Sequence, residues 1–159
     1  MQDHLFKEFE IRVFDESYTR ISKCLNLLNE DEIWYAPNDQ ITTVGNTVLH
    51  LIGNARQWII TGIGQEEDNR ERDDEFKVDS RVSKVELESA LAELQKDVEP
   101  ILFGLTNKQI NKVTNIQGFE VSGFSILIHV IEHFSYHTGQ ISLLTKLMKN
   151  EDLGYYELS

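Results

Sequence analysis

A single cysteine, Cys24, leaves no second thiol for a disulfide within the chain, so the fold cannot rest on an internal covalent crosslink. Long apolar runs are missing too: no stretch of about 18 apolar residues is present to span a bilayer. The N-terminus, MQDHLFKEFE, is charged and lacks the apolar segment of a signal peptide, so nothing suggests export and a cytoplasmic location is expected. Basic residues are scarce, 15 against 27 acidic, and the formal charge of −12 repels phosphate backbones and anionic lipid surfaces. Neither nucleic acid nor membrane is therefore expected as a partner. Only two prolines interrupt 159 residues, and the apolar positions recur at helical rather than alternating spacing, which predicts an all-α fold in one domain, residues 1–159.

Phe14, Tyr18, Ile21, Leu25 and Leu28 recur at spacings of four and three, predicting a first helix from about Asp3 to Leu28. Cys24 lies beside that stripe and reads as a small buried hydrophobe with no chemical role. Residues 29–40 carry Asn, Asp and Pro breakers around Trp34 and Tyr35, a connection whose aromatics pin it to the body. A second helix follows from about Val44 to Gly62, in which Arg56 is the one charged residue. Val48, Ile52, Ala55 and Ile59 share one side of it. Thr47, His50, Asn54, Gln57 and Thr61 share another, a polar but uncharged stripe that fits the wall of a wet internal cavity.

Residues 64–81 are dense in both charge signs, with Phe76 as the main anchor, and read as a long surface crossover. Its mixed charges could also form a network that folds it against the bundle or a second subunit. Ser83 and Glu86 match a capping box opening a third helix with Leu87, Leu91, Leu94 and Val98 inward; Pro100 is expected to kink or end it. Residues 106–118 are polar and rich in breakers, and Ser122 caps a fourth helix. Past Met148 the tail leaves the helix, with Tyr155 and Tyr156 able to pack back on the body.

The fourth helix places His129, His133 and His137 on one stripe. The outer two stand roughly 12 Å apart along the axis, so the three cannot ligate one ion. The apolar residues Ile126, Val130, Ile141, Leu144 and Met148 centre on the direction of His137, with His133 about 40° away and His129 about 80°. The inner pair is thus His133 and His137. Core histidines satisfied by backbone or water would look the same from these positions alone, and a third ligand on a facing helix separates the two readings. His50 is that candidate, although it also reads as a plain interhelical hydrogen-bonder; His4 is too near the terminus. Neutral imidazole suits zinc or nickel first, then cobalt, manganese or iron, and three such ligands leave a position for water or substrate. Asn54 and Gln57 follow His50 by one and two turns and Gln140 follows His137 by three residues, so all three are candidates to orient ligands or bound species.

Two other motifs fit less well. His129 to His133 formally match H-x-x-E-H with Glu132 as a protease base, but Glu132 lies about 140° round the helix from His137. A carboxylate-bridged di-iron bundle needs Glu three residues before His, and none of the five histidines has it.

LHLIGNARQW (49–58), GIGQEEDNRERDDEF (62–76), IQGFEVSG and HVIEHFSYHTGQI (between 116 and 141) together resemble the DinB-like superfamily of metal-dependent four-helix bundles, over most of the chain beyond the first helix. The resemblance implies a divalent-metal site carried by His50, His133 and His137. It also implies a long crossover between the second and third helices and a homodimer. Some members are similar to transferases or isomerases that use low-molecular-weight thiols, which makes a small thiol a candidate substrate; the branch this chain resembles has no assigned reaction. His129 is shared by some relatives without being the usual ligand. A non-catalytic, metal-stabilised structural or binding protein is the other reading.

Overall fold

In a computed structural model, which describes residues 2–77 and 81–155, the first predicted helix forms a continuous rod with a widened middle. Helix α1 (Gln2–Phe9) runs into a π-helical stretch (Glu10–Tyr18) and then α2 (Thr19–Leu27). The expected stripe of Phe14, Tyr18, Ile21, Leu25 and Leu28 is buried throughout. Along this stretch adjacent pairs face inward together, Val13 with Phe14 and Ser17 with Tyr18. Cys24 is fully buried, as expected, with Sγ 3.2 Å from the Tyr155 hydroxyl, which also lies 2.7 Å from Ser142 Oγ. The tail does pack back through Tyr155; Tyr156 lies outside the described residues.

Asn29 and Glu32 close a capping box on the short α3 (Glu30–Ile33). Trp34 then pins the connection: it is buried, its Nε1 donates to the Val82 carbonyl at 3.2 Å, and its ring lies where a Cβ on Gly45 would stand 2.6 Å away. Tyr35 does not share this role, being 53% exposed. The second arm is α4 (Val44–Ala55), capped by the Thr43 hydroxyl, continued by a π-helical stretch (Arg56–Thr61). Val48, Ile52, Ala55 and Ile59 are buried as the pattern required.

The third arm, α5 (Lys84–Phe103), opens on the Ser83–Glu86 capping box and buries Leu87, Leu91, Leu94 and Val98. Pro100 does not end it. It sits in the last turn, where its missing N–H removes one intrahelical bond and the helix still reaches Phe103. After α6 (Asn107–Asn111), residues expected to be loop form a hairpin of β1 (Val113–Ile116) and β2 (Phe119–Ser122) in antiparallel register, Val113 opposite Ser122 and Ile116 opposite Phe119. Gln117 and Gly118, at φ 54° and 85°, make the two-residue turn with both φ positive that matches strand twist. Ser122 then caps α7 (Gly123–Lys149), which ends on Asn150 in the left-handed region.

Apart from this hairpin the described residues form a helical bundle, the expected all-α class, in which α7 packs on both the first arm and α4 while α4 also packs on α5. The chain from 62 to 83 is the long crossover joining second and third arms, with a 3₁₀ turn at Arg72–Phe76; Val78, Asp79 and Ser80 within it lie outside the described residues. No helix among the described residues is long and apolar enough to cross a membrane.

Candidate metal centre

Packing of α4 against α7 sets His50 of one helix against two turns of the other. The His50 ring centroid lies 4.9 Å from that of His133 and 5.2 Å from that of His137, and the latter two are 4.5 Å apart. One ligand nitrogen from each of the three falls within 4.8 Å of the others. His133 Nε2 is buried and has no hydrogen-bond partner, an arrangement that carries a desolvation penalty of about 1–3 kcal/mol unless something accepts its lone pair. His137 Nδ1 donates to Gln140 Oε1 at 2.7 Å, which leaves Nε2 as its free nitrogen.

The surroundings of His133 and His137 favour the neutral form that binds metal. Burial pushes the His133 imidazolium down to about 3, reinforced by the nearby His137, His129 and His50 and by Arg70. Burial also lowers His137, against the hydrogen bond with Gln140, which acts in the opposite direction. Three imidazoles with a ligand nitrogen each within 4.8 Å of the others, one ring nitrogen being unpartnered in the interior, fit a borderline divalent ion such as zinc, nickel or cobalt.

His129 stands just outside this set. Its ring stacks on Trp58, with centroids 3.8 Å apart and planes at 26°, and its Nε2 lies 3.4 Å from Asn54 Nδ2. Burial lowers its pKa, partly opposed by Glu132. Glu132 itself is exposed, in keeping with the poor fit of the protease motif.

Of the three candidate orienting amides, Gln140 touches a histidine of the set, whereas Asn54 bonds His129 instead. Gln57 faces elsewhere: its Nε2 donates to Asp68 at 2.7 Å and its Oε1 accepts from Arg70 at 2.9 Å and from Gln117 at 2.5 Å. The π-helical stretch from Arg56 explains this, because a wider turn makes Trp58, rather than Gln57, follow His50 and Asn54 along the face toward α7. The crossover packs along much of the neutral stripe, meeting His50, Gln57 and Thr61.

That packing brings in two residues not anticipated individually. Glu75 Oε2 lies 2.9 Å from His50 Nδ1, and Arg70 holds the same carboxylate with Nε on Oε1 at 2.6 Å and Nη2 on Oε2 at 2.9 Å. The side chains are 10% exposed for His50 and Glu75 and 5% for Arg70. Burial would raise the Glu75 pKa, but the hydrogen bonds from His50 and Arg70, with the Arg70 charge, outweigh it and hold the carboxyl below its ordinary value. Phe76, the expected anchor, is 38% exposed and touches the His50 ring at 5.3 Å between centroids.

The family model described as "Protein of unknown function (DUF1572)" matches residues 3–158. No curated protein matches the sequence. Among solved structures, a DinB-like protein from Bacillus cereus aligns at a TM-score of 0.65 and 17% identity, covering 85% of this chain and 87% of that one. A DinB-like protein from Bacillus subtilis aligns at 0.68 and 15% identity, covering 94% of each. At these identities the likeness is one of fold.

Proposed function

The chain belongs to the DUF1572 family, DinB-like in fold, and on that premise we propose that it binds one divalent ion through His50, His133 and His137 and serves as a metal-dependent enzyme of the thiol-transferase or hydrolase kind. The observation that carries this reading is a set of three imidazoles with one ligand nitrogen each within 4.8 Å of the others, in which the buried Nε2 of His133 has no partner. A bound ion would supply Lewis acidity, lowering the pKa of a water or thiol that reaches it. The chain's residues would do the rest: three neutral rings leave the charge of the ion uncompensated, which favours an anionic ligand in the remaining position. Gln140 steadies His137 at the edge of the site nearest solvent, where Tyr136 is exposed.

The test is a titration of a low-molecular-weight thiol into cobalt-substituted protein. A thiolate-to-metal charge-transfer band that is absent in His133→Ala is the expected result. Full cobalt occupancy with no spectral response to thiols, carboxylates or other small anions would mean a closed site and favour a structural role for the ion.

We also propose a homodimer formed through α7. Between Phe124 and Leu147 this helix carries two charges, Glu132 and Lys146, and its outer face shows Tyr136, Leu143 and Leu147 at 59–68% exposure. Gly139 lies on that face with nothing within 4 Å of a Cβ placed on it, so no neighbour in the chain explains a residue that costs about 1 kcal/mol in a helix. An antiparallel copy centred on Gly139 would set Leu143 against Ser135, Leu147 against Ile131 and Lys146 against Glu132 of the second copy, a self-complementary pairing. Sedimentation at micromolar concentration should give twice 18.4 kDa for the native chain and 18.4 kDa for Leu143→Glu. In a monomer Gly139→Ala would simply add helix stability; in this dimer it weakens association. An 18.4 kDa native species removes the proposal.

A further inference from the structure

His50 is the single member of the histidine set that does not come from α7, so its orientation depends on what holds it on α4. Its Nδ1 lies 2.9 Å from Glu75 Oε2 and 3.2 Å from Arg70 Nη2. A guanidinium only donates and an ionised carboxylate only accepts, so the two contacts demand opposite tautomers. The carboxylate decides. Were Nδ1 unprotonated, its lone pair would face that of Oε2 at hydrogen-bond distance, whereas Arg70 Nη2 already has Oε2 as acceptor at 2.9 Å. Nδ1 therefore carries a proton, which leaves Nε2 as the nitrogen whose lone pair the neutral ring can offer to a metal.

Glu75 is itself fixed from every side. Arg70 grips both oxygens, the Glu75 carbonyl accepts from Asn46 Nδ2 at 2.7 Å, and Arg70 Nη1 is tied to Gln57 Oε1. Asn46, His50 and Gln57 all lie on the second arm, so the crossover is clipped along the same helix that presents His50.

We propose that Glu75, held by Arg70, is the positioning residue for His50, and that the crossover 64–77 is thereby a working part of the metal site rather than a surface connection. This rests on the three-histidine reading above and adds to it a coupling: docking the crossover sets the His50 lone pair, and filling the site tightens the crossover. A carboxylate behind a ligating imidazole both fixes the ring and makes it a stronger donor.

The experiment compares wild type, Glu75→Gln and Glu75→Asp, the last keeping the charge for Arg70 while withdrawing it from His50. Competition titration with zinc and cobalt should show affinity about 10–100-fold weaker in both variants. Nitrogen-resolved NMR of the metal-free protein should show His50 as the Nδ1–H tautomer in wild type and a mixture in the variants. Unchanged affinity overturns the proposal, whatever the tautomer does. Weaker affinity with the tautomer unchanged also overturns it, since the loss would then come from loosened packing. If wild type binds neither metal, the three-histidine reading fails, and the tautomer measurement still decides whether Glu75 orients His50.

Discussion

Metal content is expected to collapse in His133→Ala, with affinity for zinc or cobalt reduced more than about 100-fold, beyond the upper end of what losing an outer partner of a ligand does. His133 occupies the middle of the set, 4.9 Å from His50 and 4.5 Å from His137 between ring centroids, and alone among the three has its free nitrogen sealed from solvent without a partner. His129→Ala should retain metal, because that ring is engaged by Trp58 and Asn54. Metal analysis of untagged protein checks both variants, and loss in His129→Ala with retention in His133→Ala would reverse the assignment.

Stability gives a second, independent readout of the same residue. In the metal-free chain the buried Nε2 is a penalty, so His133→Leu should be no less stable than wild type in urea. With metal present the order should reverse, since a ligand at 100 times its Kd stabilises the folded chain by about 2.7 kcal/mol. The pH dependence has a definite sign. The folded pKa of His133 is depressed to about 3 from the ordinary 6.5, so between those values the unfolded chain holds a proton that the folded chain does not. Its contribution is present above about 6.5 and lost as pH falls toward about 3. Metal-free wild type should lose stability across that window more steeply than His133→Leu.

Features legible in the sequence are those whose cause is local. The Ser83–Glu86 box, the Ser122 cap and the stripe of Leu87, Leu91, Leu94 and Val98 each depend on residues within a turn or two of one another. The adjacency of His133 and His137 does as well, and the choice of His50 needed only a neutral face on a neighbouring helix. The hairpin also has a local cause, the Gln117–Gly118 turn between its two strands. Gln57 meets the crossover rather than a histidine, because the helix widens through Arg56–Thr61 and a constant period does not anticipate that. Glu75 and Arg70 belong to another class. They reach His50 from 25 and 20 positions away, in a segment that also offers Glu66, Glu67, Asp68, Glu71, Asp73 and Asp74. No periodicity ranks one carboxylate above the rest there; three-dimensional docking chooses it.

The docking bears on α4 at Gly53, in the middle of the helix. Alanine at an interior helical position is worth about 1 kcal/mol over glycine, so Gly53→Ala on a free face would stabilise the protein. Here a Cβ would run into Glu75 Oε1 and stand 3.0 Å from Arg70 Nε. Glu75 is the end of a flexible side chain, but this one is gripped by both arms of Arg70 and by His50, so it cannot yield without breaking a buried pair. Breaking such a pair costs about 3–5 kcal/mol. Set against the gain of about 1 in helix propensity, Gly53→Ala is expected to lose roughly 2–4 kcal/mol and to weaken metal binding in parallel as His50 is freed. The cause is separable by a double-mutant cycle: in a Glu75→Ala background the collision disappears, and adding Gly53→Ala should then be neutral or stabilising by up to about 1 kcal/mol. Chemical denaturation of the four proteins decides it, and a Gly53→Ala single variant as stable as wild type would show that the crossover does not bear on α4 as the geometry requires.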